Sequence, residues 1–310
     1  MTSSENRKIL FIINPISGIN KKYSVTEQIT RLCKKHSLSP EFIETTGKND
    51  KERIADSIKT HSPDTAVAVG GDGTVNLVAS LLIDTDIKLG VVPTGSANGM
   101  AFELNISTNI EQAMSVIARN VCRSIDLLKI NREHLAIHLS DLGMNARIIK
   151  RFDQEKIRGF YGYARQFFKE LKSPSNFRCI IDCEGKKRRK YKAVMVVMTN
   201  THFFGTGAVV NPTGKLDDGK FEIVVIKPYP WYYLFHMILA FFTGNIHRLR
   251  HIRTLSCKHA TINMRPEQDL QVDGEPVGEF RHLEIEALPS AIKVIYNHQQ
   301  NHLFVKSKFL

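Results

Sequence analysis

Over the first 130 residues, short apolar runs alternate with amphipathic stretches, the pattern of a parallel sheet whose faces are covered by helices. KILFII (8–13) reads as a buried strand, and 22–36 as a helix with Val25, Ile29, Leu32 and Cys33 on one face. EFIETT (41–46), TAVAV (65–69) and IKLGVV (87–92) read as further strands, and 51–60, 75–82, 98–102 and 110–119 as helices. After Asp126 the texture changes. LLKIN, HLAIHLS, FRCIIDC, YKAVMVVMTN, FEIVVIK, HATINM and HLEIEAL follow one another, separated by Gly, Asp and Lys turns, which predicts an antiparallel, sandwich-like domain. Helical insertions at 159–172 and 231–244 interrupt it, and AIKVIY (291–296) is a strand free to return to either domain. The expected fold class is α/β plus all-β. An open α/β nucleotide-binding domain spans 1–130, a β-sandwich-like domain 131–290, and a segment 291–310 is free to rejoin the first domain.

Composition narrows this picture. With 310 residues, 42% apolar and 24% charged, the chain is long enough for two domains and unlike a disordered, collagenous or coiled-coil sequence. Lys and Arg exceed Asp and Glu by 12, which predicts polyanionic company: a nucleotide, a nucleic acid or an acidic membrane surface. No zinc-finger or RNP motif accompanies that charge, so no nucleic-acid partner is expected. Five cysteines, without a CxxC pair, read as free thiols filling the core in a reducing compartment. The longest apolar run, Trp231–Phe242, is 12 residues, short of the roughly 20 that span a bilayer. No export signal is apparent at the amino terminus. The expected location is cytoplasmic, with peripheral contact at the inner face of the membrane.

Three turn-rich loops each follow a predicted strand: NPISG (14–18), GGDGTVN (70–76) and PTGSAN (93–98). In an open α/β sheet such loops gather at the carboxyl edge, where ligands bind. Glycines there let backbone N–H groups approach phosphate, and a following helix N-terminus favours negative charge. Ser17, Thr74 and Ser96 add hydroxyl donors. Neither a Walker A loop nor a GxGxxG fingerprint is present. Asp72 is the unusual member, since a carboxylate in such a loop repels phosphate unless it binds a metal or receives a proton. It is therefore a magnesium or proton-transfer candidate. His247 and His251 lack the Glu of HExxH and read as surface residues, His134 and His138 as strand residues, and Ser96 has no hydrolase elbow around it.

NPISG, GGDGTVN, PTGSAN, Asp126 in RSIDLLKI, GAVVNPTGKLDDGKFEI and VDGEP stand in the order seen in the diacylglycerol kinase catalytic family. The resemblance spans nearly the whole chain. It implies ATP and Mg²⁺ as cofactors, a lipid acceptor, and an active site in an interdomain cleft. Asn14 and Ser17 then sit in the first nucleotide loop, and Thr45 at the second strand end. Gly70, Gly71, Asp72, Gly73, Thr74, Val75 and Asn76 cradle the ATP phosphates, with Gly95, Ser96 and Asn98 in the loop beyond. KLDDGK resembles a structural magnesium site, with the Asp218 carboxylate and the carbonyls of Lys215 and Lys220 as ligands and Asp126 in a supporting network. The general base is drawn from the pair Asp273 and Glu275, with Glu275 preferred and Asp273 in support. Leu77 and Gly99 depart from the family pattern, which often has acidic residues there. The implied reaction moves the γ-phosphoryl group of ATP to a lipid hydroxyl, most readily that of diacylglycerol. A sphingoid base or ceramide is the alternative acceptor, and a catalytically silent nucleotide or lipid sensor the alternative of another class. An NAD kinase shares GGDGT but fits KLDDGK and VDGEP poorly. The aromatic segments 159–172 and 231–242, with KKRRK (186–190) and HRLRH (247–251), form a candidate membrane-facing surface.

Overall fold

A computed structural model describes residues 7–17, 24–154, 175–203 and 209–299. The chain divides into two compact units, one of residues up to 125 joined by the segment from 291, the other of residues 126–290.

In the first unit, β1 (Arg7–Ile13), α1 (Val25–Lys35), β2 (Leu38–Glu44), α2 (Asp50–His61), β3 (Thr65–Gly70), α3 (Asp72–Leu81), β4 (Lys88–Pro93), α4 (Gly99–Glu103) and α5 (Ile110–Arg119) follow in order. The strands form a parallel sheet in the order β2-β1-β3-β4. Lys293 and Val294, near the end of the last strand of the chain, add alongside Lys88 and Leu89 of β4, again parallel. Ile9 to Ile13 and Ala66 to Val69 are buried without interruption, because helices cover both faces of the sheet along these runs. Ser24 opens α1 with a capping box, its hydroxyl accepting from the Glu27 amide while Glu27 returns to the Ser24 amide. Asn109 caps α5 by accepting from the Gln112 amide.

The second unit holds most of β5 (Cys122–Ile130), then β6 (His134–Ala136), β7 (Leu139–Gly143), α6 (Met144–Gln154), β8 (Phe177–Cys183), β9 (Arg189–Ala193), β10 (Met195–Thr199), β11 (Phe221–Ile226), α7 (Tyr233–Thr243), a 3-10 turn (Ile246–Arg248), β12 (Ile252–Cys257), β13 (His259–Val272) and most of β14 (Glu275–Ile295). Antiparallel pairing runs β12-β11-β10-β7-β13-β14, with β8 added beside β13 and β9 beside β8. Successive side chains of a strand point to opposite faces, and here both faces are buried. Val196, Met198, Ile223 and Val225 pack with Cys179, Ile181, Ile262, Met264 and Ile285, which makes the sandwich. Met195, Val197, Val224 and Ile226 pack instead with Met237 and Ala240 of α7 and with Met144 and Ile148 of α6.

One expectation changes here. Cys183 and Cys257 are joined in a disulfide, with Cα atoms 5.7 Å apart; Cys33, Cys122 and Cys179 stay free. The reading of all five as free thiols fails because Cys183 ends β8 and Cys257 ends β12, strands that the fold brings to one core across a sequence separation of 74. The helix at 231–244 is present as α7, whereas the segment 159–172 lies outside the described residues. Among the described residues, no helix is long and apolar enough to cross a membrane.

Candidate active site

The nucleotide-type loops are bonded to one another across the carboxyl ends of the strands. The Thr45 amide donates to Ile13 O, the Asn14 amide to Val69 O and the Thr94 amide to Gly70 O, at 2.8, 2.9 and 3.0 Å. Side chains continue the chain of contacts: Asn14 Nδ2 donates to Thr74 Oγ1 at 3.3 Å, and the Ser17 and Thr94 hydroxyls meet at 2.8 Å. Asn14, Ser17, Thr45, Thr74 and the Gly95–Asn98 turn therefore share one edge. Thr94 joins them, although the sequence marked it no more than any other threonine in a turn.

Close approach, not only ligand approach, explains the glycines. A Cβ on Gly95 would lie 2.4 Å from Gly71 Cα, and one on Gly70 would lie 2.2 Å from Thr74 Oγ1. Gly95 meets the Gly71 backbone of the other loop and Gly70 the Thr74 side chain of its own, so neither glycine tolerates a side chain. Asn98 then closes its turn by accepting from the Gly95 amide and donating to the Gly95 carbonyl, at 2.9 and 2.7 Å. For Gly95→Ala we expect a loss of about 1–3 kcal/mol from overpacking, accompanied by weaker ATP binding. Calorimetric titration beside a thermal melt measures both, and unchanged values would remove the loop contact from the account.

Asp72 resolves differently from its appearance in the sequence. Its two carboxylate oxygens accept from the Gly99 and Met100 amides, at 2.9 and 3.0 Å, so it caps the first turn of α4 and ties the second loop to the third. Gly99 contributes the N–H that Asp72 holds. Thr74 and Val75 are buried, Asn76 and Leu77 half-buried, and Gly73 and Ser96 exposed. What faces solvent at this edge is the start of α3, with Gly73 bare in its first turn. Unpaired N–H groups and the helix dipole suit such a start to an anion.

In the second unit, Asp126 is 1% exposed and fully engaged. Oδ1 accepts from the Ser290 amide at 2.8 Å and Oδ2 from the Gly219 amide at 2.6 Å, while its carbonyl receives Asn200 Nδ2 at 2.7 Å. Its contact with the 215–220 loop thus runs through that loop's backbone. Leu216 plugs the loop into the core, leaving Lys215, Asp217, Asp218 and Lys220 exposed. Burial pushes the Asp126 carboxyl up; the two amides oppose this, and the Asp218 and Asp217 charges add to it. A divalent cation relieves that kind of repulsion, and carboxylate with carbonyl oxygens is the donor set that suits Mg²⁺. The Lys220 amide donates to Asp218 Oδ1 at 3.1 Å, and the Asp218 carboxylate is exposed. Among the described residues no three His, Cys, Asp or Glu side chains gather as a ligand set.

VDGEP forms the turn from β13 to β14. Asp273 and Gly274 both have positive φ, 48° and 91°, as a two-residue Asp-Gly hairpin requires. The Asp273 carboxylate turns inward and accepts from the Ile137, His138 and Leu139 amides at 2.8, 2.9 and 2.9 Å. Glu275, one residue past the turn, is exposed.

Behind the turn lies a polar relay that sequence reasoning missed. Gln271 Oε1 accepts from the Gly274 amide at 2.7 Å, while its Nε2 donates to Asp141 Oδ2 at 2.5 Å. Asn145 donates to the same oxygen at 2.6 Å. The one signal was Ser-Asp inside the strand-like run HLAIHLSDLG. Burial pushes the Asp141 carboxyl up to about 7, against the hydrogen bonds that favour its charged form. A native value above the unfolded one means that stability is fullest below about pH 4 and falls as pH rises through about 7. A shift from 3.8 to about 7 corresponds to about 4 kcal/mol. Asp141→Asn should flatten that dependence, giving urea midpoints that differ less between pH 5 and pH 8 than those of the native chain. An unaltered slope would exclude Asp141 as its source.

Residues 8–130 match the family model of the diacylglycerol kinase catalytic domain, and residues 140–296 that of the YegS C-terminal NAD kinase beta sandwich-like domain. A Yersinia pestis protein named "Probable lipid kinase YegS-like" is 26% identical over 251 residues, covering 79% of this chain and 82% of its own. The crystal structure of a diacylglycerol kinase from Bacillus anthracis superposes with a TM-score of 0.71 at 20% identity, over 96% of this chain and 99% of that one. An NAD kinase from Archaeoglobus fulgidus in complex with ATP shares the fold at a TM-score of 0.54 and 13% identity, over 94% of each chain.

Proposed function

We propose that this chain, which belongs to the diacylglycerol kinase catalytic-domain family with a YegS-type C-terminal domain and is thus a lipid kinase, moves the γ-phosphoryl group of ATP to the hydroxyl of diacylglycerol with the help of Mg²⁺. The observation that carries this reading is the set of cross-bonded loops at the strand ends, with Gly71 against Gly95 and Gly73 exposed in the first turn of α3. The loops position the triphosphate through N–H groups and the Thr74, Ser17 and Ser96 hydroxyls. Phosphoryl transfer needs little covalent chemistry from a protein, so positioning and charge neutralisation are its main contributions. Asp72 serves this by holding the loops together, since both its oxygens already receive amides.

Glu275 is the general base in this reading. It takes the proton of the acceptor hydroxyl as that oxygen forms its bond to the γ-phosphorus and the bond to the bridging oxygen breaks, releasing ADP. Asp273 is fastened to three amides and holds the turn that presents Glu275. Asp218 with the Lys215 and Lys220 carbonyls would hold Mg²⁺, which when bound steadies that loop by neutralising its carboxylates. A lipid acceptor places the enzyme at a membrane surface, and the excess of 12 positive charges suits an anionic one, such as the inner face of the cell membrane.

ADP release in the presence of diacylglycerol micelles tests the proposal. The expected result is lipid-dependent release that stops on chelation of Mg²⁺. Release at the same rate without lipid would mark a simple ATPase, and none with any acceptor a silent sensor.

A further inference from the structure

Trp231, Tyr232, Phe235 and Leu239 are 76, 62, 73 and 56% exposed, and they are four of the six large apolar side chains left exposed among the described residues. Trp231, Phe235 and Leu239 recur every fourth residue, which aligns them along one side of α7 and the turn that leads into it. The other side of α7 is committed to the core, where Met237 and Ala240 are buried with Ile246 and Ile252. The helix is therefore apolar on both sides, and one of them faces water.

Charge identifies what covers it. Between Lys227 and Lys258 the chain carries five Lys and Arg and no Asp or Glu. Arg248, Arg250, Arg253 and Lys258 are exposed, on the turn that follows α7 and on β12 and its end. The cations crowd one another: the Lys227 amine is held below the usual lysine range by burial and by the Arg253 charge. A second copy of this chain would bring the same uncompensated charge to a self-complementary interface, which disfavours a dimer. An anionic bilayer offers both missing features, acyl chains for the aromatic stripe and acidic headgroups for the arginines. Trp and Tyr at one end of the stripe have the amphipathic rings that settle at the headgroup level.

We infer that the exposed side of α7 is the membrane-docking surface of this protein, inserting Trp231, Phe235 and Leu239 into an anionic leaflet while Arg248 and Arg250 meet its headgroups. The inference deepens the lipid-kinase reading by naming where the enzyme meets its substrate's phase.

Trp231 is the single tryptophan of the chain, so its fluorescence reports on this surface alone. Full-length protein titrated with phosphatidylglycerol-rich vesicles should show a blue-shifted emission, quenched by lipids brominated on the acyl chain; pure phosphatidylcholine vesicles should give little of either. Loss of two basic residues, at about fivefold each, should weaken the partitioning of Arg248→Gln/Arg250→Gln by about 25-fold. Phe235→Ser/Leu239→Ser should abolish the shift. The same variant should keep native turnover on a short-chain diacylglycerol dispersed in water, so loss of docking is distinguishable from loss of the kinase. Vesicle binding without a change at Trp231 would overturn the inference, and so would a blue shift that grows with protein concentration in the absence of lipid.

Discussion

Glu275→Gln is expected to bind ATP as the native chain does and to lose about 10²-fold or more in kcat, the range associated with removal of a general base. Glutamine preserves the size and hydrogen-bonding reach of the side chain but cannot accept the proton of an attacking hydroxyl. Glu275 is exposed and stands at the first position of β14, so the substitution leaves the core and the turn untouched, and the melting temperature should not move. Its position outside the bonded loops of the first unit leaves KM for ATP with no reason to change. Steady-state kinetics over a range of ATP concentrations separates the two parameters. A kcat within a few-fold of the native value would remove Glu275 from the role.

Asp273→Ala should act on stability instead. The alanine leaves three amides, those of Ile137, His138 and Leu139, without their acceptor in a buried position. Each orphaned donor costs about 1–3 kcal/mol, and water reaching part of the site reduces the sum, so a loss of about 3–5 kcal/mol is expected in urea denaturation. Asp273 also has a positive φ of 48°, which alanine tolerates poorly and asparagine well. Asp273→Asn should accordingly lose much less, since it keeps one acceptor oxygen and the backbone preference. Equal losses for the two variants would contradict the anchoring role. Turnover should fall in the alanine variant as well, because the turn that presents Glu275 loses its hold.

The first unit was legible because its signals are local. KILFII and TAVAV read as strands from their apolar runs alone, and Ile110–Arg119 has the same bounds in sequence and structure. The second unit was less so. Helix α6 begins directly after Gly143, whose φ is 92°, with no Ser, Thr, Asp or Asn at its N-cap to announce it. β14 reads as two strands because Pro289 and Ser290 interrupt the pattern, yet it runs from Glu275 to Ile295, pairing with β13 early and β4 late.

Within the candidate site, residue identity was easier to read than residue role. GGDGT announced a phosphate-type loop, but which atoms Asp72 touches depends on the third loop, 27 residues on. Asp273 and Glu275 looked equivalent in VDGEP. The positive φ of the hairpin turns one carboxylate inward to three amides, and one residue later the chain resumes as strand with the other exposed. Asp141 and Gln271 are 130 positions apart, and such a pair carries no periodic signal in a single sequence.

Acceptor choice is read by incubating the purified chain with γ-labelled ATP, Mg²⁺ and separate micelles of diacylglycerol, sphingosine and ceramide, with NAD as a soluble control, and resolving the products by thin-layer chromatography. Label is expected on the lipid extracted from the diacylglycerol micelles. Label on NAD alone would contradict it.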